Sequence, residues 1–370
     1  MSPPGRPWLQ VAWNAYVQKK YPISLVHFIT NRCNARCLHC FIDFEDPKTF
    51  QGDLTLDEIR TLTKHVGPSL FNVNLTGGEP FLRKDIWEIA EAYFQNTPIQ
   101  SVFITTHGQF TEKIQAFLER FIASKFSASR KIIFSFSIDN LERKHDQNRK
   151  VEGLFNQAIK SVRLVEEYQH PRIMGNVAIT VTDHNYMDVL EVYDYLKQEL
   201  KISAFTATAM REEGVVKRIN PDMKKQIHTA YVELTRRIHE DQLHHRTRGF
   251  KRDLQGSLMN AKNRIINEAI AETYVDKHYI SRCPAAAMFG VIGNDGQVYP
   301  CEILDRPLGN LRDYGMNFLA LWENALCHDA RRFIKDTHCN CTYECAWTVN
   351  VITNPQYLPR LASDVIRQHL

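Results

Sequence analysis

Three cysteines, Cys33, Cys37 and Cys40, lie within one short stretch, TNRCNARCLHCFID, directly after an apolar run. Neither a helix nor a strand needs this density of thiols for packing. Three thiolates on one loop can hold three corners of a cubane iron–sulfur cluster, and a missing fourth thiolate leaves one iron open to a substrate or cofactor. The alternatives are a zinc knuckle that recruits His39, or three buried free thiols.

A second group of cysteines follows much later in the chain and comprises Cys283, Cys301, Cys327, Cys339, Cys341 and Cys345. Between the first two, short apolar runs flank the sequence Asn294-Asp295-Gly296, which predicts a hairpin turn. A turn glycine allows two thiols that are distant in sequence to converge on one cluster. A zinc ribbon is the competing interpretation. Cys327 lies in a helical pattern, where a small core residue is expected.

The elements that must position these cysteines are short apolar runs that alternate with amphipathic helical patterns. Strands are predicted at residues 24–30, 71–77, 101–106, 132–138, 174–181 and 202–208. Strands that alternate with helices imply a parallel sheet with right-handed crossovers and a working face at the carboxyl ends of the strands. The predicted fold class is therefore α/β, with a partial (β/α)6 barrel related to the TIM barrel.

Composition and charge restrict the function classes. The net charge of +4 is small for 370 residues, and no polybasic tail occurs, which argues against a nucleic-acid partner. No signal peptide or long apolar segment is present, so a cytoplasmic protein is expected, in which clustered cysteines favour metal ligation over disulfides. Residues 211–280 form a basic helical segment, interpreted as a solvated bundle or linker, or alternatively as a surface that faces an anionic substrate.

The three-cysteine loop resembles the Cys-x3-Cys-x2-Cys signature of the radical S-adenosylmethionine (SAM) superfamily. Further matches to that family follow in order, and the resemblance covers roughly residues 22–210. LTGGEPFLR resembles the GGEP motif, which implies that Gly77, Gly78, Glu79 and Pro80 hold the amino group of SAM. A departure occurs in TTHG, residues 105–108, where relatives often carry Asn before the Gly.

The resemblance also implies binding residues for the rest of SAM. In SFSIDN, at the end of the fourth strand, Ser135, Ser137 and Asp139 are placed to bind the ribose hydroxyls. His39 is placed beside the adenine, and Arg149 in HDQNR is placed near the SAM carboxylate. The implied cofactors are a [4Fe–4S] cluster and SAM, which is cleaved to a 5′-deoxyadenosyl radical that removes hydrogen from a substrate.

The later cysteines resemble the SPASM and twitch domains, which bind auxiliary clusters. The spacing from Cys283 through Gly296 to Cys301 matches the opening of these domains. One auxiliary [4Fe–4S] cluster is implied, with Cys283, Cys301 and Cys345 as ligands and Cys339 or Cys341 as the fourth. Radical SAM epimerases use a thiol to donate hydrogen to the substrate radical, which gives Cys327 an alternative role.

These predictions divide the chain into five parts: an extension (1–21), a radical SAM core (22–210), the basic segment (211–280), the auxiliary domain (281–350) and a tail helix (351–370). The short extension leaves no room for a leader-binding domain and favours a small polar or anionic substrate such as a sugar, nucleotide or lipid head group. A peptide-modifying enzyme and a non-catalytic iron–sulfur or zinc module are the alternatives. A flavodoxin or ferredoxin is the expected electron donor, and both terminal helices are candidates for peripheral lipid contact.

Overall fold

A computed structural model of the protein describes residues 7–200, 204–212, 219–244, 246 and 254–368, and side chains from residue 9 onward. Some predicted features therefore lie outside the described residues. They are the first residues of the extension, the start of the run at 202–208, parts of the basic segment and the last two residues of the tail.

Strands form one sheet of nine members in the order β6-β5-β4-β3-β2-β1-β7-β8-β9. Their bounds are β1 Ser24–Thr30, β2 Asn72–Gly77, β3 Ser101–Thr106, β4 Lys131–Ser137, β5 Ile173–Val181, β6 Ala204–Ala209, β7 Phe289–Ile292, β8 Gln297–Tyr299 and β9 Gly309–Asn310. Each neighbouring pair from β6 to β1 is parallel, as is the pair of β1 and β7. The mostly parallel α/β sheet with crossover helices confirms the predicted fold class.

Helices connect the strands and cover the sheet. Their bounds are α1 Pro7–Trp13, α2 Leu56–Thr63, α3 Ile86–Asn96, α4 Thr111–Ala123, α5 Glu142–Arg149, α6 Leu154–Glu167, α7 Val189–Glu199, α8 Pro221–Leu243, α9 Leu254–Val275, α10 Phe318–Trp322, α11 Ala325–Asp336, α12 Glu344–Thr353 and α13 Leu358–Arg367. A π-helical turn at Asn14–Gln18 follows α1. Helix α2 begins with a capping box in which Thr55 and Glu58 bind each other's backbone amides.

The core lies between the sheet and its helices. Every residue of β1 is buried because strands and helices cover both of its faces, whereas buried and half-buried residues alternate in β4. Phe81 and Phe134 stack with ring centroids 6.2 Å apart, and both are fully buried. This packing fixes the carboxyl ends of the strands, where the cysteine loop begins.

The basic segment is better integrated than a solvated linker. Helix α8 packs against α7, α9 and β6, and α9 packs against α12 and α13. Ile227, Tyr231 and Leu234 are fully buried on α8, as is Ile270 on α9. Each helix thus has an apolar face that recurs with helical period, although the segment is rich in Lys and Arg and buries one of them, Lys262, on α9.

The predicted hairpin around Asn294 forms, and it extends the sheet of the core. Strand β7 pairs in parallel with β1, from Ser24 opposite Phe289 to His27 opposite Ile292, and β8 returns antiparallel to β7. The Asn294 side chain donates to Asp53 Oδ1 at 2.8 Å and accepts from Asn31 Nδ2 at 2.8 Å. The turn of the hairpin is thereby joined to the root of the three-cysteine loop.

Among the described residues, no helix combines the length and the apolar character that crossing a lipid bilayer requires.

Candidate active site

The loop that carries Cys33, Cys37 and Cys40 leaves the carboxyl end of β1 and is held against the end of α5. The backbone amide of Arg36 donates to the carbonyl of Arg149 at 3.0 Å, and that of Leu38 donates to Asn148 at 3.1 Å. All three cysteines line one cavity of about 240 Å³. The structure thus brings together the three thiols that the sequence singled out.

Two thiols of this loop, Cys33 and Cys40, are protonated at neutral pH. Burial raises the pKa of Cys33 to about 12 and that of Cys40 to about 11. Only a thiolate ligates a metal, so occupation of this loop by a metal cluster must displace these protons.

Hydroxyl side chains from five successive strands face the same cavity. They are Thr76 of β2, Thr105 of β3, Ser137 of β4, Thr180 of β5 and Thr208 of β6. The carboxyl ends of parallel strands meet at one edge of a sheet, which explains why residues so far apart in sequence share one cavity. The row of hydroxyl groups suits a ligand rich in hydrogen-bonding groups.

The two glycines of the GGEP stretch line this cavity, and the absence of a side chain lets neighbouring backbone atoms pack closely against them. A Cβ added at Gly77 would lie 1.8 Å from the carbonyl oxygen of Thr30, and one added at Gly78 would lie 2.2 Å from that of Arg32. Gly77 also has a φ of +142°, which side chains other than that of glycine rarely adopt. The glycines let β2 approach the root of the cysteine loop closely.

Glu79 is fully buried and lies behind the cavity wall, and its carboxylate is already bound by protein groups. Thr106 Oγ1 donates to Oε1 at 2.8 Å, and the backbone amides of Phe81 and His107 donate to Oε1 and Oε2 at 3.0 Å each. The side chain of Glu79 is absent from the cavity lining, as is Pro80, which starts a 3-10 turn. Gly77 and Gly78 are the members of the motif that face the cavity.

His107, which the sequence marks only as a departure from Asn, lines the cavity and links two of its walls. Its Nδ1 accepts from the backbone amide of Gln109 at 3.2 Å, so the proton of the neutral ring lies on Nε2. The Nε2 of His107 can then donate to Oδ1 of Asn34 in the cysteine loop at 3.1 Å, and the same Nε2 lies 3.3 Å from Oε2 of Glu79. Burial lowers the pKa of His107 and thereby favours this neutral form, although Glu79 opposes that shift.

Asp139 and Arg149 form a buried ion pair directly behind the cysteine loop. Arg149 Nη2 donates to Asp139 Oδ2, while Nη1 lies 3.6 Å from Cys37 Sγ. Burial by itself raises the pKa of Asp139, but Arg149 and His39 reverse that effect and lower it. Burial likewise opposes the charge of Arg149, and Asp139 with Cys37 raises its pKa above the ordinary value.

The other predicted SAM-binding residues differ in their position. His39, Ser137 and Arg149 line the cavity, whereas Asp139 and Ser135 are absent from its lining. Ser135 Oγ accepts from Asn176 Nδ2 at 3.2 Å within the sheet. Burial lowers the pKa of His39, so its ring is neutral beside the cavity.

Two charged residues missed by the sequence analysis, Arg211 and Glu344, face the cavity from the C-terminal part of the chain. Arg211 Nη2 pairs with Glu302 at 3.1 Å, and its guanidinium lies over the ring of Tyr343. Arg211 Nη1 and Glu344 Oε1 are buried and have no partner among the described residues. Burial raises the pKa of Glu344 to about 7, because the neutral acid is favoured away from water.

The C-terminal cysteines approach one another behind this wall. The thiol of Cys283 is affected by the charges of Cys341, Cys301 and Cys339, and burial raises the pKa of all four. Burial also raises the pKa of Cys345 to about 12. Within the described residues, no three His, Cys, Asp or Glu side chains are arranged to hold a single metal ion.

Cys327 lies away from the cavity. It is fully buried in α11, and its thiol donates to the carbonyl oxygen of Leu321 at 3.3 Å. The structure therefore does not bring this thiol to the residues that face the cavity.

Comparisons with known proteins agree with this fold. Residues 28–196 match the family model described as Radical SAM superfamily. In sequence, the chain is 26% identical over 239 residues to Fe-coproporphyrin III synthase of Methanosarcina barkeri (strain Fusaro / DSM 804). That match covers 60% of this chain and 56% of the relative, so the chain spans just over half the length of that protein.

Two solved structures share the fold over most of the chain. One is anSMEcpe with bound AdoMet, with a TM-score of 0.60, 18% identity, and coverage of 94% of this chain and 99% of that one. The other is Streptococcus suis SuiB bound to S-adenosylmethionine, with a TM-score of 0.57, 18% identity, and coverage of 91% and 75%.

The chain has an α/β fold in which three cysteines line one cavity at the carboxyl ends of the strands. Its residues 28–196 are similar to the radical SAM superfamily. Proteins of this superfamily are enzymes that use a [4Fe–4S] cluster and SAM. The residues of the cavity fit a [4Fe–4S] cluster with SAM. Three thiols share the cavity with a row of hydroxyl groups, and the loop has no fourth cysteine, which would leave one iron free for SAM.

Proposed function

We propose that this protein is a radical SAM enzyme that acts on a small polar molecule. The observation that carries the proposal is the convergence of Cys33, Cys37 and Cys40 on one cavity at the carboxyl edge of a domain similar to the radical SAM superfamily. When bound, the cluster and SAM supply a one-electron reductive cleavage to methionine and a 5′-deoxyadenosyl radical, which abstracts hydrogen from the substrate. A flavodoxin or ferredoxin is the proposed electron donor.

The chain's own residues bind and orient the reactants. The three thiols hold the cluster, and Gly77 and Gly78 set the distance between β2 and the loop. The hydroxyl groups at the ends of β2–β6 offer hydrogen bonds to SAM, with Ser137 and Thr180 next to the buried pair of Asp139 and Arg149. His39 contributes a neutral ring for contact with adenine.

We assign the substrate side of the cavity to the wall formed by Arg211 and Glu344. Each has one buried polar atom without a partner, so a substrate that supplies a hydrogen-bond acceptor and a donor would satisfy both. Because Arg211 already pairs with Glu302, this wall offers a hydrogen-bond donor and an acceptor rather than an excess of positive charge. The curated relative is named for an iron coproporphyrin, which is consistent with a small-molecule substrate.

We further propose one auxiliary [4Fe–4S] cluster at the C-terminal cysteines. Cys283, Cys301 and Cys345, with Cys339 or Cys341 as the fourth ligand, offer the four thiolates of a closed cluster. A closed cluster has no iron for substrate, so it would accept or relay an electron.

Anaerobic reconstitution with iron and sulfide, followed by dithionite and SAM, tests the proposal through release of 5′-deoxyadenosine. We expect about eight iron atoms per chain for two cubane clusters, against about four if the C-terminal cysteines bind none or hold zinc. Protein with its full iron content that releases no 5′-deoxyadenosine would refute the enzyme function.

A matched pair of variants ties the reaction to the loop. Cys40→Ala removes one of the three thiols and should abolish the release of 5′-deoxyadenosine. Cys327→Ala removes a buried thiol outside the cavity and should retain both the iron content and SAM cleavage. Equal loss in both variants would contradict the assignment of the loop.

A further inference from the structure

The buried pair of Asp139 and Arg149 has a fixed orientation relative to the cysteine loop. Arg149 occupies the last turn of α5, and its Nη1 lies 3.6 Å from Cys37 Sγ. Its Nη2 donates to Asp139 Oδ2 on the other side. The guanidinium therefore contacts both the thiol of Cys37 and the carboxylate of Asp139.

Burial makes this orientation electrostatically important. Asp139 is 0% exposed and Arg149 is 5% exposed, so water screens their charges weakly. Asp139 Oδ1 accepts from the backbone amide of Thr180 at 2.8 Å, and Oδ2 lies 3.8 Å from Nε2 of His39, so the carboxylate is fixed in place. An apolar pair of similar volume would pack in this position without the cost of burying two charges, which indicates a role beyond packing.

We propose that the Asp139–Arg149 pair sets the reduction potential of the iron–sulfur cluster held by Cys33, Cys37 and Cys40. This inference rests on the proposed function, because it requires a cluster at that loop. Reduction transfers one electron from a flavodoxin-type or ferredoxin-type donor to the cluster, with no proton and no bond change. The reduced cluster carries one more negative charge, so a nearby cation stabilises it relative to the oxidised form.

The two members of the pair have opposite effects on the potential. Loss of the Arg149 charge removes the stabilising cation and makes the cluster harder to reduce. Loss of the Asp139 charge leaves the cation of Arg149 unopposed and makes the cluster easier to reduce. A residue that only supports the fold would not produce shifts of opposite sign.

The experiment is a potentiometric titration of the reconstituted protein without SAM, followed by electron paramagnetic resonance. The variants are Arg149→Gln and Asp139→Asn, which remove one charge each at similar volume. Arg143→Gln is the matched control, because Arg143 lies on the same helix and is exposed to solvent. Signals that persist in Cys40→Ala belong to the C-terminal cysteines and are subtracted.

We expect the equilibrium constant for reduction to fall about tenfold in Arg149→Gln and to rise about tenfold in Asp139→Asn, which is about 59 mV each way for a one-electron couple. Arg143→Gln should match the wild-type protein. Shifts in one common direction, or no shift in either variant, would overturn the inference. A potential that is unchanged while SAM affinity falls would also overturn it, since Arg149 would then serve SAM alone.

Two further measurements distinguish a failure of this inference from a failure of the proposed function. Should Arg149→Gln lose its iron, Arg149→Lys keeps the charge and must retain the wild-type potential, while Asp139→Asn must still raise it. A wild-type chain that assembles no cluster at the loop refutes the proposed function. A wild-type chain that cleaves SAM, with no split between the variants, refutes this inference only.

Discussion

Replacing Gly78 by Ala should dislodge the root of the cysteine loop. The added Cβ would lie 2.2 Å from the carbonyl oxygen of Arg32, whereas ordinary contacts begin near 3.4 Å. Either β2 or the loop must therefore move by more than about 1 Å. The same carbonyl accepts from the backbone amide of Glu79 at 2.8 Å, and it belongs to the residue before Cys33. The movement thus reaches both the hydrogen bond and the first thiol.

Overpacking of this kind costs about 1–3 kcal/mol. With an unfolding entropy of about 2.1 cal/mol/K per residue, a chain of 370 residues loses about 1.3 °C in Tm per kcal/mol, so Gly78→Ala should lower the Tm by about 1–4 °C. The variant should also retain less iron after anaerobic reconstitution, because Cys33 no longer has its place in the cavity. Thermal unfolding followed by circular dichroism, together with iron analysis, measures both effects.

Gly175→Ala is the matched control. Gly175 lies in β5, and a Cβ added there would meet Val165 Cγ1 at 3.5 Å, an ordinary contact. We expect this variant to keep the wild-type Tm and iron content. If Gly78→Ala behaves like Gly175→Ala in both measurements, the close approach of β2 to the loop does not position the thiols.

Two more predictions concern stability. Asn294→Ala removes hydrogen bonds to Asn31, Asp53 and Gln51. It should lower the free energy of unfolding by about 2–4 kcal/mol, measured by urea unfolding, and reduce the bound iron, measured by iron analysis. Unchanged values would contradict the link between the hairpin and the cysteine loop. Burial, together with the charge of Arg83, lowers the pKa of His27 to about 3 in the folded protein. In the unfolded chain, His27 takes up a proton near pH 6.5, whereas in the folded protein it stays neutral at that pH. Lowering the pH from 7.5 to 5.5 should therefore cost about 1.4 kcal/mol of stability through His27. Urea unfolding of His27→Gln should show a pH dependence smaller by that amount, and an equal dependence in both proteins would disprove the assignment.

The strands and the cysteine loop could be predicted because their signals are local. The predicted strand at residues 24–30 coincides with β1, and that at 101–106 coincides with β3, since a short apolar run bounded by polar residues is typical of a strand in a parallel sheet. The spacing of Cys33, Cys37 and Cys40 marks them as a loop of ligands in any context. The hairpin at Asn294 follows from turn chemistry.

Contacts between distant segments could not be predicted in the same way. The resemblance of its motif assigns Glu79 to ligand binding. Only the structure shows that its carboxylate accepts hydrogen bonds from Thr106, at the end of β3, and from His107, the next residue. The burial of α8 and α9 was likewise hidden by the abundance of Lys and Arg in the basic segment. Periodicity indicates that a helix has an apolar face, and it does not indicate which partner covers that face.

By itself, the sequence determined the order of strands and helices and the loop with three thiols. These depend on residue types within a few positions of one another. Only the tertiary structure decided that Arg211 and Glu344 share a cavity with Cys37, and that Arg149 contacts both that thiol and Asp139. Such neighbours depend on the direction of side chains and on the twist and closure of the sheet, which arise from the packing of the whole chain.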